Sequence, residues 1–255
     1  MDLELTDRAY LITGGTDGLG LALAQTLVRE GARVAICGRD PQRLNHAQSL
    51  LGPDALCFSA DVTNTNQLDS FIDATLDRFG RLDGAVNNAG RSASSSVAAS
   101  DDDAWRSDYE LKVIAALHVS RRVLDSLTVT KGALVNVLAI LARTPSANST
   151  PTAASRAAGL ALTKALAHEV GAQGIRVNAI LIGLIESGQW VRRAHEAHAS
   201  TEDYYATMAK TSNVPLQRFG RAQEFADLAT FLLSPRASYI TGVGISIDGG
   251  LSPVI

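Results

Sequence analysis

The sequence predicts a doubly wound α/β domain, one parallel sheet with helices on both faces, and three observations carry that prediction. An apolar run, Ala9 to Ile12, feeds a glycine-rich turn that opens into a helical pattern with Leu19, Leu23, Leu27 and Val28 on one face. Strand-like and helical patterns then alternate to the end of the chain. The strand-like runs are continuously apolar rather than alternating, the signature of strands covered on both sides. The 255 residues carry no long linker, low-complexity tract or repeat beyond this β-α rhythm, so residues 1–255 read as one domain. In such a sheet, ligands bind beyond the carboxyl ends of the strands.

The first strand, Ala9–Thr13, runs into Gly14-Gly15-Thr16-Asp17-Gly18-Leu19-Gly20 and a helix over Gly18–Glu30. That arrangement aims backbone N–H groups and a helix N-terminus at a phosphate. Gly14, Gly18 and Gly20 stand where a side chain would block a pyrophosphate or the helix–sheet contact. Further strands are expected at Arg33–Cys37, Leu56–Ala60, Gly84–Asn87, Ala133–Leu138, Arg176–Ile182 and Gly244–Ile247. Helical periodicity fills Pro41–Leu51, Asn66–Phe79, Asp103–Leu127, Pro151–Ala172 and Ala222–Leu233.

Bulk properties narrow the function classes. A net charge of −3 gives no basic surplus, so neither nucleic acid nor an anionic membrane is an expected partner. The apolar runs Ala133–Ala142 and Ile180–Ile185 are too short to span a bilayer. Met1–Leu5 has neither the basic region nor the apolar core of a secretory signal, and the expected location is cytoplasmic. Cys37 and Cys57 sit in strand-like runs and read as small core residues rather than a disulfide or metal pair.

The spacing T-G-x-x-x-G-x-G over Thr13–Gly20 resembles the short-chain dehydrogenase/reductase family. The likeness extends along the whole chain. Asp61-Val62 after the third strand resembles the family motif that flanks the adenine ring. Asn87-Asn88-Ala89-Gly90 after the fourth resembles the one that stabilises the central sheet around the cofactor. Gly174–Ile180 and Ile247-Asp248-Gly249-Gly250 resemble its last two strands. The resemblance implies a nicotinamide dinucleotide held by Gly14, Thr16, Asp17, Gly18, Leu19, Gly20, Asp61, Val62, Asn88, Ala89, Gly90, Gly183, Ile185 and Ser187. At the end of the second strand, Gly38 takes the family's acidic position and Arg39 follows. A guanidinium beside the adenosine ribose pairs with a 2′-phosphate, which favours NADP over NAD. Arg39 as a solvated loop cation, with Asp40 a helix cap, would leave that preference open.

The family's reductive chemistry uses a tyrosine as acid, a lysine four residues later, a serine and an asparagine. This chain departs at each position. Thr152 stands for the tyrosine, Arg156 for the lysine, Ala139 for the serine and Lys112 for the asparagine. A threonine hydroxyl is far less acidic than a phenol, arginine keeps its proton, and alanine donates nothing. An ordinary ketoreductase step does not survive these exchanges. Arg156 can still hold ribose hydroxyls. Lys112 either points at solvent or lies near Arg156, where like-charge repulsion would lower its pKa and make it a proton donor.

Between Glu186 and Arg218 lies a segment without strand pattern, the family's lid over the substrate. Trp190, Tyr204 and Tyr205 in it, with Ser92, Ser94 and Asn148 from nearby loops, are the expected substrate contacts. His195 and His198 read as surface residues, and no metal is expected. Three functions are compatible with these residues: an NADP(H)-dependent oxidoreductase with a rearranged site acting on a small or medium carbonyl or alcohol; a non-redox lyase, isomerase, dehydratase or cyclase; and a silent binding subunit. The resemblance also implies a homotetramer or homodimer through the long helices and the final strand.

Overall fold

The computed structural model describes residues 1–255. Its strands are β1 (Ala9–Thr13), β2 (Arg33–Gly38), β3 (Leu56–Ser59), β4 (Gly84–Asn87), β5 (Ala133–Ala139), β6 (Arg176–Ile182) and β7 (Gly244–Ile247). They form one seven-stranded sheet in the order β3-β2-β1-β4-β5-β6-β7, parallel at every pairing. The helices are α1 (Gly18–Arg29), α2 (Pro41–Leu51), α3 (Thr65–Phe79), α4 (Asp102–Tyr109), α5 (Ala115–Thr130), α6 (Thr152–Val170), α7 (Gly188–Glu196), α8 (Thr201–Thr211) and α9 (Ala222–Leu233). No helix is long and apolar enough to cross a membrane.

Successive side chains of a strand point to opposite faces, so a strand buried on both sides feeds two cores. Tyr10, Ile12, Val34, Ile36, Val135 and Ile180 pack with α1, α2 and α9 on one face. Ala9, Leu11, Ala35, Cys37, Leu134 and Val177 pack with α3, α5 and α6 on the other. Both cysteines are free thiols. Local signals fix the helix ends. Asp40 caps Gln42 and Arg43 N–H groups ahead of Pro41, and α3 stops at Gly80, whose φ of 68° is left-handed. Arg176, buried, donates to the carbonyls of Leu232 and Ser234 at 2.7 and 3.0 Å, a cation set on the C-terminus of α9.

The predicted helix Asp103–Leu127 is divided. A π-helical turn over Glu110–Ile114 joins α4 to α5, and Ala115 N–H reaches back five residues to the Glu110 carbonyl. Asp108, Lys112, Ala115, Val119, Val123 and Leu127 are all buried. A straight helix of 3.6 residues per turn would carry that series about 100° around its axis. The wider turn absorbs part of this drift and keeps Lys112 facing inward.

At the amino ends of the strands, Asp83 binds the sheet's centre together. Its carboxylate, 1% exposed, accepts from Ala9 N–H at 2.9 Å and Arg8 at 3.0 Å, and from Arg81 at 2.7 and 2.8 Å. Asp83→Ala strands a backbone donor and two guanidinium groups, a cost of about 3 kcal/mol. The expected outcome is a Tm lower by roughly 6–12 °C for a chain of this size. Dinucleotide binding, at the opposite end of the sheet, is expected to be unchanged; calorimetry and a fluorescence titration check both.

Candidate active site

A cleft of about 1450 Å³ runs across the carboxyl ends of the strands and under α7. Its floor is set where β1 and β4 lie side by side, because the crossovers from these strands leave toward opposite ends of the sheet. Thr13 Oγ1 accepts from the Asn88 and Ala89 N–H groups, both at 3.1 Å. The Asn88 side-chain amide donates to the Thr13 and Gly14 carbonyls at 3.0 and 2.9 Å. The two loops are thus one rigid unit. Gly14, at φ 66°, leaves no room for a side chain, since a Cβ there would stand 2.9 Å from Ala89 Cα. The cleft walls include Gly14, Thr16, Asp17, Gly18, Leu19, Arg39, Asp61, Val62, Asn88, Ala89, Gly90, Gly183, Ile185 and Ser187, which brings together almost the whole predicted nucleotide set. Gly20 lies behind it, packed so closely that a Cβ would meet Asn88 Nδ2 and the Gly14 carbonyl at 2.5 Å.

The adenosine end is rich in loosely held arginine. Arg39 pairs with Asp61 at 3.2 Å, and Arg43 pairs with Asp17 at 3.4 Å and Asp40 at 3.7 Å. Arg39 is 72% exposed, so these pairs are weak and the guanidinium is free to turn to a phosphate. Arg43 was not apparent from the sequence; only the start of α2 in space brings it over the glycine turn. Gly38 is the family's acidic position, and a Cβ there would stand 2.7 Å from the Thr16 methyl. A carboxylate in its place would have to displace Thr16.

The residues of this end fit a dinucleotide phosphate: a side-chain-free cradle, a helix N-terminus and exposed guanidinium groups. At the far end, Arg156 is buried, with one guanidinium nitrogen donating to the Val137 carbonyl at 2.5 Å. Its Nε has no partner, and another nitrogen stands beside Gly90. Buried donors of this kind suit ribose hydroxyls. Burial pulls the Arg156 pKa down to about 10, so the group still carries its charge at neutral pH.

Lys112 sits behind Thr152 rather than in solvent. Its side chain is fully buried, and its ammonium donates to Asp108 Oδ1 at 2.5 Å and to Thr152 Oγ1 at 3.0 Å. Burial first, and Arg156 second, pull its pKa down to about 8 against the opposing pull of Asp108. Thr152 lines the cleft and Lys112 does not. A hydroxyl has one hydrogen and two lone pairs. Both lone pairs of Thr152 are engaged, one by Lys112 and the other by the Ala93 N–H at 2.8 Å. Its own hydrogen is therefore free for a third partner in the cleft. Ala139, at the end of β5, adds wall and no donor.

The substrate side differs from expectation. Trp190 and Ser92 line the cleft, and Ser92 N–H donates to the Gln189 side chain at 3.0 Å, tying α7 to the loop after β4. Ser94, Asn148, Tyr204 and Tyr205 lie outside its walls. The aromatics of α7 and α8 pack with one another and with Phe219 instead. Tyr205 stacks on Phe219 at 4.3 Å, Trp190 meets the same ring edge-on at 5.4 Å, and Tyr204 lies 6.4 Å from Trp190. Ser94 bonds to Ser92, and Asn148 forms an exposed loop tip at φ 58°. No group of histidine, cysteine and carboxylate residues is placed to hold a metal.

Comparison with known proteins places this geometry in context. The family model described as Enoyl-(Acyl carrier protein) reductase matches residues 14–252. The 2-(S)-hydroxypropyl-CoM dehydrogenase 3 of Xanthobacter autotrophicus is 30% identical, with 100% of both chains covered. Among solved structures, an NADPH-bound short chain oxidoreductase from Pseudomonas aeruginosa PAO1, described as containing an atypical catalytic center, is 37% identical. It superposes with a TM-score of 0.93, covering 98% of this chain and 99% of that one. L-sorbose reductase from Gluconobacter frateurii, complexed with NADPH and L-sorbose, is 30% identical with a TM-score of 0.95 and complete coverage of both chains. With its glycine cradle, its sheet order and these relatives in agreement, the chain belongs to the short-chain dehydrogenase/reductase family.

Proposed function

We propose that this chain is an NADP(H)-dependent oxidoreductase acting on a small or medium carbonyl or alcohol compound, with Lys112 and Thr152 together replacing the usual phenol. One observation carries the reading: the Thr152 hydroxyl has both lone pairs filled, one of them by a buried ammonium, and keeps its hydrogen for the cleft. Bound NADPH supplies the hydride. Arg39 and Arg43 would hold the 2′-phosphate, the glycine turn the pyrophosphate, and Arg156 the nicotinamide ribose. Thr152 donates a hydrogen bond to the carbonyl oxygen and hands over its proton as that oxygen gains charge. Lys112 replaces the proton on Thr152. A lone threonine is too weak an acid for this role; a threonine whose proton is replaced in the same movement is not.

Ala139 is the observation that favours a second reading. Without a donor at the end of β5, the substrate oxygen loses one polarising contact. The cleft would then serve a non-redox reaction, with the dinucleotide as a fixed element.

Fluorescence titration with NADPH and NADH decides the cofactor. NADPH is expected to bind more tightly, and Arg39→Ala to weaken NADPH by about tenfold to a hundredfold, the value of one or two charge-assisted hydrogen bonds, with little effect on NADH. Equal loss for both nucleotides would remove Arg39 from the 2′-phosphate.

NADPH consumption across a panel of ketones tests the chemistry. Thr152→Val and Lys112→Met are each expected to lower kcat by about 10²–10⁴ while leaving NADPH affinity in place. The reducing rate depends on a protonated Lys112, so it is expected to fall as pH rises through about 8. Full turnover by Lys112→Met would end this reading.

A further inference from the structure

Asp108 has no counterpart among the residues that the sequence marked as functional, yet it is the only carboxylate bonded to Lys112. It lies one turn before Lys112 on the same helix, and its side chain is 1% exposed. Each oxygen has one partner. Oδ1 accepts from Lys112 at 2.5 Å, and Oδ2 accepts from the Ser155 hydroxyl at 2.6 Å. Ser155 is itself fully buried, on the first turn of α6 beside Thr152. One carboxylate therefore ties α4 and the π-helical turn to the helix that carries Thr152 and Arg156.

The charges around Lys112 give this tie a chemical role. Arg156 from α6 and Arg91 from the loop after β4 both repel the ammonium, and Asp108 alone attracts it. Lys112 is cut off from solvent, so without Asp108 its charge would face two cations in a dry pocket. A buried ion pair need have no function beyond packing. This one fixes Nζ so that a further hydrogen falls on the Thr152 hydroxyl at 3.0 Å.

We propose that Asp108, held by Ser155, is a positioning residue that fixes the Lys112 ammonium against Thr152 and keeps it charged until a proton is called for. The proposal rests on the reading of Lys112 as the proton source. In the reducing direction the carbonyl carbon takes hydride from NADPH, which is oxidised. The Thr152 O–H bond breaks toward the carbonyl oxygen, and a Lys112 N–H bond breaks toward Thr152 Oγ1. Lys112 is left as a neutral amine beside the Asp108 carboxylate and regains its proton from the Thr152 hydroxyl, which takes one from water in the cleft after the alcohol leaves.

The chain has only four lysines, so the full-length protein labelled with ¹³C at lysine Cε gives four resolved titrations. Lys112 is expected to titrate near pH 8, and in Asp108→Asn its midpoint is expected to fall by about one to three units. Lys131, Lys164 and Lys210 serve as internal references, and Asp108→Glu, which keeps the charge, is expected to restore most of the shift. The alkaline limb of kcat for NADPH-driven ketone reduction should move with the Lys112 midpoint, with the ketone KM nearly constant. An unmoved midpoint in Asp108→Asn overturns the positioning role whatever the activity. A midpoint that falls while the rate limb stays fixed upholds the clamp and overturns the proton route through Lys112. Should Asp108→Asn not fold, the Asp108 carboxyl ¹³C resonance of the unmutated protein answers the same question. It must show a step at the Lys112 midpoint, and its absence overturns the proposal.

Discussion

A sheet whose strands all run one way must put every strand's carboxyl end on the same edge. The rest of this molecule depends on that constraint. The glycine turn, Arg39, Asp61, Asn88, Ala139 and Gly183 come from six different strand ends and meet along one cleft. The Thr13–Asn88 bonds lock the two central loops, so the cradle's shape is a property of the sheet rather than of a flexible loop. The opposite edge carries the Asp83 clamp, far from any ligand. The clamp and the cleft thus lie at opposite ends of the same sheet.

The chemistry end concentrates charge where water does not reach. Lys112, Arg156 and Asp108 are all buried, two cations against one anion. Taking such groups out of water costs several kcal/mol each unless they are bonded and matched. Asp108 matches one cation completely. Arg156 is matched by a single carbonyl and keeps an unpaired Nε, so it stands ready for acceptors brought by a ligand. The site is therefore short of negative charge and of acceptor oxygens, and a phosphorylated dinucleotide with its ribose hydroxyls supplies both.

The fold was legible because its signals are local. Apolar runs, glycines and caps each lie within a few residues, and the strands fall where the patterns predict them. Almost all the residues expected at a nucleotide meet along one cleft for the same reason, since they lie in short motifs at strand ends. What escaped depended on three dimensions. Arg43 joins the adenosine end only because α2 folds back over the glycine turn. Tyr204 and Tyr205 have the composition expected over a substrate, but they lie outside the cleft walls and pack with Trp190 and Phe219. Asp108 and Lys112 have the spacing of an ordinary surface ion pair. Only their phase with Ala115, Val119 and Val123 marks that pair as inward, and the π-helical turn that maintains this phase has no sequence signature.

On the proposed reading, the departures from the family pattern fit together as one change. Arginine in the lysine position removes the movable proton from α6, since even at a pKa of about 10 it stays charged at neutral pH. Lysine in the asparagine position returns a movable proton one helix away, at a pKa of about 8. A second buried cation needs a counter-charge, and Asp108 is one turn away to provide it. Threonine in the tyrosine position is shorter than a phenol, and its oxygen lies within reach of that lysine at 3.0 Å. With alanine in the serine position, Thr152 is the hydroxyl proposed to polarise the substrate oxygen, which requires its hydrogen to be uncommitted. The Ala93 N–H and Lys112 meet that requirement by occupying both lone pairs. On the proposed reading, the Asp108 counter-charge, the Lys112 ammonium and the Thr152 hydroxyl act as one chain of hydrogen bonds that ends in the cleft.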